Sequence, residues 1–361
     1  MKKILPVCLL LFILLLGFTS CKENVQENDE IEDSKKIFSV GLNYGLDSDT
    51  QSYHVVGIGT CTDTDIVIPS SYNGLPVTEI SGWAFIMCKN LTSVTIPDTV
   101  VSIGIDAFYG CENLTSIVIP DSVTFISSGA FAGCTRAFEI ENGVSYIDKW
   151  VIDCDESVIN AVIRDGTLGI ANMAFCSCTS LTSITIPDSV AYVCWGAFER
   201  CTSLTSITVG VNNQFYQSID GNLYTKDGKT FLQYATGKTD SEFAIPNGVT
   251  SIGGYAFSYC TALTSITIPD SVTVIGFSAF EGCTSLFSLT IPDSVTSIGR
   301  FAFYDCTSLT RIFIPKSVKS IGASSFDGCI NLTVCFEAEL SELELIDVYL
   351  PSCSLEFGCK E

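Results

Sequence analysis

The segment Ile268-Pro269-Asp270-Ser271-Val272-Thr273-Val274-Ile275-Gly276 leads, two residues later, to Ala279-Phe280, then to Cys283-Thr284-Ser285-Leu286 and Leu289-Thr290-Ile291. Just upstream, Ser265-Ile266-Thr267-Ile268 alternates, so Ile266 and Ile268 face one way while Ser265 and Thr267 face the other, as a half-buried strand requires. Pro269 stops the strand, because it has no N–H and a fixed φ, and Asp270-Ser271 makes the corner. Val272 and Ile275 return to the core three residues apart. Ala279, Phe280 and Cys283 are spaced for one short helical turn.

This unit recurs. Ala-Phe, or its Ser-Phe variant, falls at Phe85, Phe108, Phe131, Phe175, Phe198, Phe257, Phe280, Phe303 and Phe326, spaced by 23 within each block, and a Cys follows every Phe by three residues. One unit alone buries almost nothing, so neighbours must supply the core. The pattern therefore predicts an α/β solenoid of 23-residue coils. A parallel sheet forms one face, short helical turns lie opposite, and columns of Ile, Val, Phe and Cys fill the space between.

The form Ile-Pro-x-x-Val-x-x-Ile-Gly-x-x-Ala-Phe-x-x-Cys-x-x-Leu closely resembles the BspA-like (treponemal-type) leucine-rich repeats of bacterial surface antigens, over about Ile66 to Leu332. That resemblance implies adhesion or recognition of a host-matrix protein.

The 361 residues carry 18 Lys+Arg against 40 Asp+Glu, a net charge of −22, with 47% apolar residues and a single His. Such a chain has ample material for a core, and its acidity, without any Lys/Arg cluster, excludes nucleic acid as a partner. Met1-Lys2-Lys3 followed by the apolar run from Ile4 to Phe18 reads as a secretory signal over 1–20. Phe18-Thr19-Ser20-Cys21 resembles a lipobox, which implies lipidation of Cys21 and a membrane connection through that anchor only. An acidic tether occupies 21–37, a β cap 38–65, the solenoid 66–333 with insertions near 141–162 and 211–242, and a second cap 334–361. The insertions read as hairpins or as degenerate coils. Asp220-Gly221 and Asp227-Gly228 mark turns in the second, and Asp155-Glu156 marks one in the first.

Chemistry-bearing residues have plain readings. The cysteine column suits small buried thiols. A bridge in the C-terminal cap would be Cys353–Cys359 or Cys335–Cys353. Asp98, Asp121, Asp188, Asp270 and Asp293 follow the Pro column and suit Asx turns, so no metal or other cofactor is expected. His54 has no nucleophile placed beside it, and no acid pair is singled out, so the chain is not read as an enzyme.

Binding candidates lie on the sheet's outward face: Ser183, Thr185, Ser206, Thr208, Ser265, Thr267, Ser288 and Thr290, with Phe287, Arg311 and Phe313 as an aromatic and cationic anchor. Trp83 and Trp195, before the Ala-Phe pairs, form a second set that could stack on sugar rings. The resulting expectation is a monomeric, exported lipoprotein of the bacterial outer membrane or cell surface that binds a protein, with host matrix in view. Polysaccharide binding is the alternative, and an enzyme with its site in the inserted hairpins a distant third.

Overall fold

Alternation along the Ser-x-Thr segments places Ile266 and Leu289 inward and their hydroxyl neighbours outward, and the strands stack in parallel one repeat apart. The computed structural model describes residues 38–337 and 353–359. The signal, Cys21, the tether and residues 338–352 of the C-terminal cap lie outside the described residues. Three runs of this first ladder are present: Asp65–Val67, Ser93–Thr95 and Ser116–Val118; then Asn160–Val162, Ser183–Ile186 and Ser206–Val209; then Glu242–Ala244, Ser265–Thr267, Ser288–Thr290, Arg311–Ile314, Thr333–Phe336 and Ser354–Phe357.

Each coil also pairs a second time. Two-residue strands such as Ser251–Ile252, Val274–Ile275, Ser297–Ile298 and Ser320–Ile321 form another parallel ladder. The Val-x-x-Ile spacing thus marks a second strand. At the Ile-Gly step the backbones of neighbouring coils nearly touch: a Cβ on Gly299 would sit 2.5 Å from the Gly276 carbonyl carbon, which is why glycine ends the short strand.

The expected helical turns are not there. Among the described residues no helix forms, and the Ala-Phe-x-x-Cys segments are successive turns, so the fold is an all-β solenoid rather than α/β. The reason is local. Tyr255, Tyr259, Ser278, Phe301 and Asp305 all have positive φ, between 50° and 61°, which breaks a right-handed helix every few residues. The N–H groups freed in this way bond to the next coil, Phe257 to Ala279 O and Phe280 to Ala302 O, each at 2.8 Å.

Those bonds stack the phenylalanines. Phe257, Phe280, Phe303 and Phe326 lie with ring centroids 5.2, 5.2 and 5.5 Å apart and nearly parallel planes. Beside them column thiols donate to a carbonyl of the preceding coil, Cys283 Sγ to Phe257 O and Cys306 Sγ to Phe280 O, both at 3.1 Å. Burial pushes the Cys283 thiol up to about 12, so no thiolate is available there. Native labelling with maleimide, read by peptide mass spectrometry, is expected to modify the half-buried Cys61, Cys88, Cys176 and Cys353. Cys283 and Cys306 should react only after denaturant is added; their modification in the native protein would contradict the packing.

Both insertions are antiparallel. In the first, Glu139–Glu141, Val144–Ile147 and Trp150–Cys154 turn at Asn142-Gly143 and Asp148-Lys149; the turn read at Asp155-Glu156 is present, Val158 N donating to Asp155 O at 3.0 Å, but it follows the hairpin strands rather than joining two of them. Trp150 then lies across Gly169, where a Cβ would fall 2.5 Å from the ring, and parallel to Tyr192 at 6.0 Å. In the second, Tyr216–Ile219 and Asn222–Thr225 join through Asp220-Gly221, and Thr230–Gln233 rejoins the short ladder. At this insertion the hydrophobic core divides into two clusters, one reaching Leu223 and Ala235, the other containing Tyr224, Phe231 and Tyr234.

The C-terminal bridge is Cys335–Cys359, neither of the pairings read from the sequence. Parallel pairing of Thr333–Phe336 with Ser354–Phe357 carries Cys359 back towards Cys335, Cα atoms 6.0 Å apart, and leaves Cys353 as a thiol.

Candidate functional site

The outward face of the first ladder carries Thr185, Thr208, Thr267, Ser288 and Thr290 as exposed residues, with Ser183, Ser206 and Ser265 half-buried beside them. In the run Asn160–Val209 the Ser and Thr columns align across coils, Ser183 opposite Ser206 and Thr185 opposite Thr208. A flanking Thr column is tied down: Thr205 Oγ1 donates to Thr182 O at 3.1 Å, and Thr264 Oγ1 to Ser241 O at 3.0 Å. Those bonds hold the ladder edge rigid and leave the next hydroxyls outward.

The outward face is divided into separate strips. Beyond Ser206–Val209 the second hairpin takes the place of the next strand. Ile207 N donates to Gly221 O at 2.9 Å, and the Ser218 hydroxyl accompanies it by bonding to Ile207 O. At the first insertion Ile140 is in phase with buried Ile117 yet is 69% exposed, because its strand pairs with the hairpin instead of the ladder. The strip over Glu242–Phe357 is the longest. Within it a shallow open trough is lined by Ser265, Thr267, Asp270, Ser288, Thr290 and Asp293.

The anchor read at Arg311, Phe313 and Phe287 is changed in detail. Arg311 lies 3.4 Å from Glu356 Oε2 and 3.3 Å from Cys335 Sγ, so its charge is already met by the last strand. Phe313 is half-buried in register with Thr290 and Cys335, whereas Phe287 stands 61% exposed. Cys335, Glu356 and Cys359 are the one set of close potential metal ligands among the described residues, and two of the three sit in the disulfide.

Trp83 and Trp195 are each 56% exposed, but on the turn edge and on coils separated by those of Phe108, Phe131 and Phe175. They do not form one platform. Trp83 keeps apolar company in Ile86, Met87, Ile105 and Tyr109, all exposed. Trp195 sits 5.2 Å from the Phe125 ring.

A polar cluster on the same turn edge escaped the sequence reading. Glu199 is buried, whereas Ile86 and Tyr109 in the same column after Phe are exposed; the column also holds Glu281 and Asp327. The Arg200 guanidinium lies 4.3 Å over the Tyr259 ring, and Tyr259 OH donates to Glu281 Oε1 at 3.2 Å. Adjacent Glu199-Arg200 in a repeat column was the available signal.

Comparison with known proteins gives a match to the BspA type leucine rich repeat region over residues 60–154, 153–226 and 234–345. A leucine rich cell surface protein from Faecalibacterium prausnitzii is 28% identical, covering 86% of this chain and 97% of its own, with a TM-score of 0.44. A leucine-rich repeat protein from Eubacterium ventriosum is 24% identical, covering 90% and 95%, at 0.49. The pneumococcal vaccine antigen PcpA shares the fold at 19% identity, covering 90% and 88%, at 0.50. Among curated proteins the comparison found no match.

Proposed function

The chain belongs to the BspA-type leucine-rich-repeat family, and on that premise we propose that it is a cell-surface lipoprotein, anchored through Cys21, that holds a macromolecular partner against the hydroxyl-lined strip of its first ladder. One observation carries this reading. Exposed Thr267, Ser288 and Thr290, with Phe287 beside them, form an open hydroxyl-lined face on a strongly acidic chain, with Asp270 and Asp293 at its rim. Acidic proteins repel many surfaces non-specifically; a strip whose strands carry hydroxyls rather than carboxylates is where close approach costs least, and repeat solenoids offer such extended surfaces. The cell-surface relative supports the location. A protein partner, of the host-matrix kind, fits an open trough without a deep cavity, and turnover is no part of this reading. Polysaccharide binding is favoured at one place only, Trp195 beside Phe125, where a single sugar ring could stack.

The test uses the soluble chain from Lys22 onward against a panel of matrix proteins and a glycan array. Thr267→Lys with Thr290→Lys is expected to weaken binding to the matching matrix protein by about tenfold or more, the effect of losing about 1.4 kcal/mol. Trp195→Ala should leave that binding intact. Binding insensitive to the lysines would overturn the assignment of the face, and glycan binding lost in Trp195→Ala would move the function to the turn edge.

A further inference from the structure

Glu199 occupies a place where a carboxylate is costly. It is 5% exposed, its Oε1 lies 3.5 Å from Arg200 Nε, and its buried Oε2 accepts no hydrogen bond among the described residues. The hydroxyl of Ser258, on the same turn edge, is likewise buried and unbonded. Arg200 reaches across to Tyr259, bonding its hydroxyl while stacking on its ring, and Tyr259 passes the contact to Glu281. Arg200 thus pairs with Glu199 directly, and Glu281 joins the chain through the Tyr259 hydroxyl.

The position is structural as well as electrostatic. Gly196 packs against Tyr255, 3.3 Å from where its Cβ would be, and a Cβ on Gly254 would lie 3.7 Å from that of Trp195. The coil of Phe198 and that of Phe257 therefore meet directly at this edge, although the second insertion separates them in the chain and divides the core beneath them. At this edge the Glu199-Arg200-Tyr259-Glu281 chain carries the contact between the two parts of the solenoid.

We propose that Glu199, paired through Arg200 and Tyr259 with Glu281, is a proton-controlled latch that closes the junction between the two parts of the solenoid when protonated and loosens it when ionised. With one proton held, the two carboxyls and Arg200 sum to zero charge; without it, one buried negative charge is unmatched. Tyr255, Tyr259, Tyr304, Cys176 and Cys201 are titratable groups around the site. Burial first and Glu281 second push Glu199 up to about 7 from its ordinary 4.5, against the opposing pull of Arg200. The folded chain thus keeps a proton that the unfolded chain releases. The latch contributes in full below about 4.5, and its contribution is lost as pH rises through about 7.

Thermal melts and hydrogen exchange of the full chain across that range test the proposal. In the wild type, stability should fall between about pH 4.5 and 7, with exchange rising selectively at 199–204 and 255–260. Glu199→Gln should abolish the fall and be the more stable protein above neutrality. Glu281→Gln, which removes the second charge, should move the fall to lower pH. A wild-type pH profile in Glu199→Gln, or an unmoved one in Glu281→Gln, would overturn the latch; should the first variant not fold, the second still decides.

Discussion

Phe280→Ala is expected to lower the stability of the solenoid by about 3–5 kcal/mol, the range for emptying a buried phenylalanine site. Its ring is fully buried between Phe257 and Phe303, each 5.2 Å away. The cavity cannot collapse easily, because N–H groups on both sides tie the backbone to the next coil at 2.8 Å. The neighbouring Cys306 Sγ bonds to Phe280 O, so slack there also disturbs the thiol column. Chemical denaturation measures the change through its midpoint. Phe287→Ala is the control: that ring is 61% exposed, and its loss should stay within about 0.5 kcal/mol. Equal effects at the two positions would mean that the phenylalanine column does not hold the coils together.

Much of this was legible in the residues because it is local and repeated. The strand in Ser265–Thr267, the stop at Pro269, and the Phe and Cys columns each follow from spacing within one coil, and nine copies remove ambiguity. The second ladder was hidden because Val274–Ile275 has two residues, too few for alternation to show. The turns were misread as helical because the left-handed residues are Tyr255, Ser278 and Phe301, types that do not advertise positive φ as glycine does.

Non-local facts were out of reach. Cys335 finds Cys359 through the parallel register of the last strand, and the same strand brings Glu356 to Arg311, which changes the expected anchor. Ile140 is in phase but exposed because the hairpin captures its strand. Glu199 lies where an insertion lets two distant coils meet. Thr185 to Thr290 face outward as alternation predicts, but in strips, since no local signal reports where a ladder is interrupted.

If coils shelter one another and nothing else holds them, they are interchangeable units. Deleting 269–291 joins Ile268 to Pro292, restoring the Ile-Pro step with every column in phase. Ser265 can then pair with Arg311, taking the place of Ser288, its present partner there. The shortened protein should therefore fold and melt in one cooperative transition, losing only the stability of one coil. Deleting 269–280 instead shifts the phase, sends Ile and Phe positions to the surface, and should abolish the transition. Circular-dichroism melts of the two deletions side by side test the stacking most directly. A sharp transition for the in-phase deletion and none for the other is the expected result, and loss of structure in both would contradict it.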